Sequence, residues 1–400
     1  MKLAMVSNFF PPEAHGGAET YAADLASELA TRGLEVDVVT STRFRERVER
    51  RGNLTVRFFR CVPPLERLTS DVLGYNFNPW TRRLVRFLAN GGFDLVHVHN
   101  INSSIMLWPL LKAIRKPAVC HVHDHWPVCY RGVLFDTWHQ RPCTSVRPSC
   151  CFNPGRRVIG AVNLAFRNRL IPRFERSMVR FIVPSQHMLG ALAGRGFTDQ
   201  EKIRLVRLGV DLSKLPVEGS ARSDDFLFVG RLIKYKNPQL AVELLSSEQL
   251  DPRVSFRIVG GGPKAVMRSA SILTEVQRRR IEFLGPKSRQ DVLVELSQAR
   301  GLLVPSLVPE NSPLVVYEAL ACGTPVLCSD FGGTKELVRE SGAGHILPVG
   351  ETTRWKDAIE SLLDGHFAEL SRRAASYARA NLGIARSADG VMSVYDEVTA

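Results

Sequence analysis

The feature that most restricts this chain is a rhythm: short apolar, often β-branched runs alternate with longer stretches of helical periodicity from the first residues onward. Strands that alternate with helices pair in parallel, because each crossover returns the chain to the same end of the sheet, and helices then cover both faces. The runs expected as strands are KLAMVS, LEVDVVT, LTVRFF, FDLVHVH, PAVCHVH, VRFIVPS and IRLVRLG in the first half. In the second they are DFLFVG, VSFRIVG, RIEFLG, GLLVPS, PVLCSD and GHILPV. Each half thus supplies enough strands for a doubly wound domain of its own. The rhythm breaks over residues 208–225, LGVDLSKLPVEGSARSDD, where Gly, Pro, Ser and Asp mark a join. The expected class is α/β, with two similar parallel-sheet domains and a cleft between them.

A length of 400 residues with 44% hydrophobic and 23% charged content suits two or three domains with sizeable cores. The opening MKLAMVSNFFPP lacks the apolar segment and cleavage site of a secretory signal, and no run approaches the roughly 18 apolar residues that span a bilayer. A cytoplasmic protein is expected, with any membrane contact peripheral. Fifty-three Lys and Arg against 40 Asp and Glu give a formal charge of +13, which favours anionic partners without choosing among nucleic acid, lipid head groups and nucleotides.

Residues 308–326, VPENSPLVVYEALACGTPV, hold two glutamates in an otherwise apolar stretch. Ser312 and Pro313 fit an N-cap and first helical position, and Gly323 with Pro325 fits a stop, so a helix is expected from Leu314 to Cys322. Glu310 then lies in the loop after the strand GLLVPS, where ligands of open α/β sheets collect, and Glu318 lies within the helix. An ionised carboxylate kept in an apolar helix calls for donors. The vicinal diol of a sugar is one source; an arginine, or solvent, is the other. The free amides of Leu314 and Val315, at the positive end of the helix, make a phosphate site. In FLFVGRLIKYKNPQLAVELL, Arg231 stands just beyond a strand and Lys236 five residues on. Together they suit a diphosphate without a metal ion, with Lys234 as an alternative to Lys236.

The element PENSPLVVYEALACGTPV, the segment GRLIKYK, the turn IVGGGP, the loop GGTKEL and the N-terminal PPEAHGGAETYAADLASELATRG together resemble a retaining glycosyltransferase of the GT-B fold, family 4. The resemblance spans nearly the whole chain, in order. It implies an N-terminal acceptor-binding Rossmann-like domain over residues 1–212, a C-terminal nucleotide-sugar-binding one over 213–385, and a helix over 386–400 packing back on the first. It implies a nucleoside-diphosphate sugar as donor and transfer with retained anomeric configuration, the acceptor hydroxyl attacking the face that the nucleotide leaves. Glu318 would bind ribose hydroxyls, and Arg231 with Lys236 the diphosphate. Glu310 would lie beside the donor sugar, with Asn311, Ser312, Pro313 and Leu314 shaping the turn. Gly16 and Gly17 would let backbone approach the donor from the opposite wall.

By the same resemblance His123 would contact the donor sugar near the reacting carbon, with Asp124 orienting nearby groups. His121, His123 and His125 alternate, so on a strand all three would share a face. A metal held by this trio is not expected, since the family's chemistry requires none.

Gly260, Gly262 and Ala265 fit a dinucleotide fingerprint, but Glu282 stands at the beginning of the next strand rather than its end. Gly260 and Gly261 are therefore read as a tight turn supporting the nucleotide site. A glycosidase carboxylate pair would leave the phosphate-binding elements without purpose. Cys129, Cys143, Cys150 and Cys151 crowd an insertion; zinc or an iron–sulfur cluster is one reading, but paired C-x2-C knuckles are missing and a reduced thiol-rich loop is the other. The segment GRRVIGAVNLAFRNRLIPRFERSMVR carries Arg156, Arg157, Arg167, Arg169, Arg173, Arg176 and Arg180 against the single acid Glu175. With STRFRERVERR it reads as a solvated basic face or one that meets an anionic membrane; no nucleic-acid module is recognisable. The expected function is sugar transfer to a glycan or lipid-linked acceptor in polysaccharide or glycolipid synthesis. The alternatives are a non-catalytic nucleotide-sugar or anion-binding protein, or a nucleotide-sugar epimerase on the same scaffold.

Overall fold

The structure, a computed structural model, describes residues 1–13, 16–61, 81–99, 110–111, 113–136, 139–143, 157–194, 199–216, 222–246, 250–262 and 270–400. The chain divides into two compact units: Met1–His139, Cys143–Gly209 and Ile384–Ala400 form the first, Gln140–Pro142 and Val210–Gly383 the second. No helix among the described residues is long and apolar enough to cross a membrane.

The sheet of the first unit contains β1 (Lys2–Ser7), β2 (Glu35–Ser41), β3 (Arg47–Arg51), β4 (Leu54–Phe59), β5 (Leu95–Val98), β6 (Ala118–His121), β7 (Arg180–Val183) and β8 (Ile203–Leu205). Their order is β8-β7-β6-β5-β1-β2-β4-β3. All pairs are parallel except β3 with β4. The central strands β5 and β6 are buried from end to end and β1 from Leu3 onward, as two-sided coverage demands. Helices α1 (Gly17–Thr31), α2 (Arg82–Asn90), α3 (Arg157–Ser177) and α4 (Gln186–Ala193) belong to this unit, and one core cluster joins Val6, Val96, Val98, Trp126, Phe174 and Phe181.

The second sheet is parallel throughout, built from β9 (Asp225–Val229), β10 (Ser255–Val259), β11 (Ile281–Gly285), β12 (Gly301–Val304), β13 (Val326–Ser329) and β14 (Gly344–Leu347) in the order β11-β10-β9-β12-β13-β14. Its helices are α5 (Leu240–Ser246), α6 (Glu275–Arg278), α7 (Arg289–Gln298), α8 (Leu314–Ala321), α9 (Gly332–Ser341), α10 (Thr352–Ser361) and α11 (Phe367–Asn381). Phe226, Phe256, Leu303, Leu327, Trp355 and Ile359 lie in its core. Helix α8 starts at Leu314 as expected and ends at Ala321, one residue short of the expected Cys322, but its N-cap is not Ser312. Pro313 itself is the N-cap, with extended ψ of 121° and no side-chain cap, and Cys322 is the C-cap. The Ser312 hydroxyl lies 3.2 Å from the Tyr317 hydroxyl, a side-chain partner that competes with the cap.

The ends of α7 and α8 are tied by Arg222. Its Nη1 donates to the carbonyls of Leu296 and Ala299 and to Thr324 Oγ1, and its Nη2 to the carbonyls of Cys322 and Gly323. One cation thereby satisfies carbonyls at two helix C-termini, where the dipole favours positive charge.

Helix α12 (Ile384–Thr399) returns to the first unit. Arg32 Nη1 donates to Asp389 Oδ1 at 2.5 Å, Tyr21 Oη and Ser387 Oγ are 2.8 Å apart, and Glu397 receives Arg180 Nε at 3.1 Å and Arg204 Nη2 at 2.8 Å. Val391, Val394 and Tyr395 on its inner face are buried. In each sheet the strand order reverses once, between β5 and β1 in the first and between β9 and β12 in the second. These topological switch points open a crevice at the carboxyl ends of the strands.

Candidate active site

In the second unit the expected donor residues follow the two strands that flank the switch point. Gly230 and Arg231 leave β9, and a 3-10 turn over Lys234–Lys236 comes next. Arg231 is exposed, with Nη2 donating to Tyr235 Oη at 2.7 Å, so a buried tyrosine fixes where the guanidinium sits. The loop after β12 carries Glu310, whose Oε1 receives Lys236 Nζ at 2.6 Å and Ser306 Oγ at 2.5 Å. The structure thus places Lys236 beside Glu310, while Lys234 is exposed and faces a cavity of about 330 Å³ shared with Leu307, Ser329 and Trp355. Asn311 and Leu314 are buried; Ser312 and Pro313 are half-buried.

Glu318 is 5% exposed and accepts Arg289 Nε at 2.7 Å. The donor that a carboxylate in an apolar helix requires is therefore an arginine at the start of α7. Arg289, Ser306 and Tyr235 escape a sequence reading. Arg289 lies in a different element from its partner, and Ser306 and Tyr235 carry no motif of their own.

Glycines bring these segments together. A Cβ on Gly260 (φ +146°) would fall 1.8 Å from the Gly230 carbonyl oxygen, and one on Gly262 (φ +147°) 3.1 Å from Leu232 N. Gly230 N donates to Val259 O and Leu232 N to Gly261 O, so the glycine turn runs directly against the segment that presents Arg231. Gly332 (φ +77°) packs onto the Glu310 loop in the same way: its Cβ would meet Glu310 O at 2.5 Å, and Gly333 N donates to that oxygen at 2.7 Å.

In the first unit Gly16 and Gly17 open α1 and are exposed. Gly16 is extended (φ −160°), a conformation open to any residue, so its contribution is the bare helix start. The histidines depart from expectation. Strand β6 ends at His121, so the alternation does not continue. His121 and His123 stack with ring centroids 4.5 Å apart, but His125 turns away and pairs with His187, their Nε2 atoms 3.0 Å apart. His97 and His99, at the end of β5, join His121 and His123 instead. His97 stacks on His121 at 5.7 Å and His99 Nδ1 lies 2.9 Å from His123 Nε2. Burial lowers the pKa of His123, and that of His97, to about 3, keeping both imidazoles neutral. Asp124 Oδ1 accepts Trp126 N at 2.7 Å and so shapes the turn after the strand. Of the cysteines, Cys129 is buried and Cys143 half-buried; Cys150 and Cys151 lie outside the described residues, as does Ala265.

Residues 15–214, half of the chain, match the family described as Glycosyltransferase Family 4. The chain belongs to glycosyltransferase family 4. Residues 217–381 of this glycosyltransferase match the group 1 glycosyl transferases. It is 29% identical to the D-inositol 3-phosphate glycosyltransferase of Acidothermus cellulolyticus over 96% of this chain and 86% of that one. It is 27% identical to the enzyme of that name from Corynebacterium efficiens over 100% and 96%. Among solved structures it resembles Anabaena Alr3699/HepE in complex with UDP, with a TM-score of 0.67 and 19% identity over 99% and 100% of the two chains. It also resembles sucrose-phosphate synthase of Thermosynechococcus elongatus, with a TM-score of 0.77 and 21% identity over 99% and 98%. The two parallel-sheet α/β domains of this family 4 enzyme have the GT-B fold.

Proposed function

We propose that this glycosyltransferase moves a hexosyl or related unit, with retention, from a nucleoside-diphosphate sugar to a hydroxyl of a glycan or lipid-linked acceptor. The observation that carries the reading is the meeting of Lys236 with Glu310, from the loops that follow the two strands at the switch point of the second unit. Arg231, Lys236 and the amides of Leu314 and Val315 bind the diphosphate, Glu318 the ribose diol, and Glu310 with Asn311, Ser312 and Pro313 the sugar. Gly16, Gly17 and His123 serve the donor from the first domain, residues 1–212, and residues 213–385 supply the nucleotide-sugar site. The new bond joins the acceptor oxygen to the anomeric carbon as the bond from that carbon to phosphate breaks. The acceptor's proton passes to the departing phosphate oxygen. Catalysis is then positioning and charge stabilisation.

The UDP in the Anabaena complex and the UDP-glucose in another complex of that protein support a nucleotide-sugar donor. An acceptor at a cytoplasmic membrane face is supported by α3, where Val158, Val162 and Phe166 are exposed on the same helix as the exposed Arg169, Arg173 and Arg176. The test is a thermal-shift screen against UDP-, GDP-, ADP- and TDP-sugars. Turnover follows with inositol phosphate and lipid-linked glycans as acceptors, reading the anomeric configuration by NMR. Glu318→Ala and Arg231→Ala are expected to weaken donor binding at least tenfold, about 1.4 kcal/mol or more. Donor affinity and turnover left intact in both would sink the assignment.

A further inference from the structure

We propose that His97, His99 and His121 form a binding site for one divalent transition metal of the zinc class, inside the first unit at its own switch point. The three come from the carboxyl ends of neighbouring strands, β5 and β6, and none is accessible to solvent. One ring nitrogen from each lies within 4.8 Å of the others. His123 is not among the three ligands; it meets His99 from outside the cluster.

Two features point to a cation. Nε2 of His97, Nε2 of His99 and both ring nitrogens of His121 have no hydrogen-bond partner among the described residues. A buried polar atom left so is destabilising, and four such atoms in one cluster mark a missing occupant. The other nitrogens of His97 and His99 are held in the manner typical of metal ligands: His97 Nδ1 lies 2.5 Å from Tyr395 Oη, and His99 Nδ1 2.9 Å from His123 Nε2. With Nδ1 donating in both contacts, the lone pairs of both residues sit on Nε2, and an outer partner orients each ring.

Three imidazoles without a carboxylate or thiolate favour zinc and its neighbours over magnesium or calcium. A tetrahedral site with Zn–N of about 2.0–2.1 Å needs the nitrogens about 3.4 Å apart, so the rings close inward on loading. The fourth position remains for a small ligand or water. Because the rings are sealed from solvent, the metal enters as the chain folds.

The test uses the full chain produced in zinc- or cobalt-supplemented medium, with metal content measured after gel filtration. About one metal per chain is expected, and the cobalt form is expected to show the intense visible absorption of a four-coordinate nitrogen site without thiolate charge-transfer bands. His121→Phe, whose native ring loses no hydrogen bond among the described residues, is expected to take the content to near zero while far-UV circular dichroism is unchanged. Cys129→Ser and Cys143→Ser are expected to keep it. A folded wild-type protein without metal, meaning that water fills the cluster, overturns the proposal. So does metal that persists in His121→Phe but leaves with either cysteine.

Discussion

Glu318 and Arg289 form a pair that a bound ribose would have to enter. A carboxylate with two oxygens accepts from a guanidinium and from a diol at once, so Arg289 orients Glu318 rather than displacing the ligand. Arg289→Ala is therefore expected to weaken donor binding less than Glu318→Ala does, by isothermal titration. Gly332 gives a sharper expectation. At φ +77°, with Glu310 backbone 2.5 Å from the place of a Cβ, Gly332→Ala pushes the Glu310 loop away and costs about 1–3 kcal/mol in backbone strain alone. A fall in kcat/KM larger than the loss of urea stability predicts would show it. At this scale the sequence singled out charged residues but not their partners. Glu310, Glu318 and Arg231 stand out because they are charges in apolar or glycine-rich runs. Arg289 does not, since nothing local couples it to a residue 29 positions on. His97 and His99 passed as strand residues, because burial of an imidazole leaves no mark on the periodicity.

Elements were legible where burial is two-sided. All six strands of the second unit were expected as apolar runs, and all six form. Strand β3, RVERR, was not expected: it is an antiparallel edge strand with exposed charged side chains, which blunt the edge and erase the apolar signal. The start of α8 at Leu314 was legible but its cap was not: Pro313 is the N-cap, and Ser312 meets Tyr317 instead. Arg222 shows what element-scale cohesion depends on. Arg222→Ala leaves carbonyls at two helix ends without their donor and is expected to cost about 3 kcal/mol, seen as a lower urea midpoint, with Lys only partly restoring it. Helix α12 carries a pH-dependent contact. Arg204 and then Arg180 hold the Glu397 carboxyl below its usual value, so its stabilisation is full above the unfolded carboxylate pKa and disappears as pH falls through the folded one. Glu397→Gln is expected to melt slightly lower than the parent at pH 7, with the gap closing as the pH falls below the unfolded carboxylate pKa; the pair is exposed, so the difference is small.

For the whole molecule, the two sheets repeat one logic: each reverses strand order once, and each gathers its unusual polar residues there. That much of the GT-B fold follows from the alternation of strands and helices, which fixes parallel sheets and thereby where a crevice opens. The chemical identity of donor and acceptor does not follow, because charge and diol geometry are common to many nucleotide sugars. Removing residues 384–400 should test how the first unit is completed. Without α12, Tyr21, His97, Arg180 and Arg204 each lose one side-chain contact, and the truncated chain is expected to bind a hydrophobic dye and to lose protection of β1 and β5 amides in hydrogen exchange. Such a layout also has a consequence on the ribosome. The domain translated first gains its last helix only after the other domain has emerged, so if the truncated chain opens as expected, nascent chains are natural clients for a holdase chaperone.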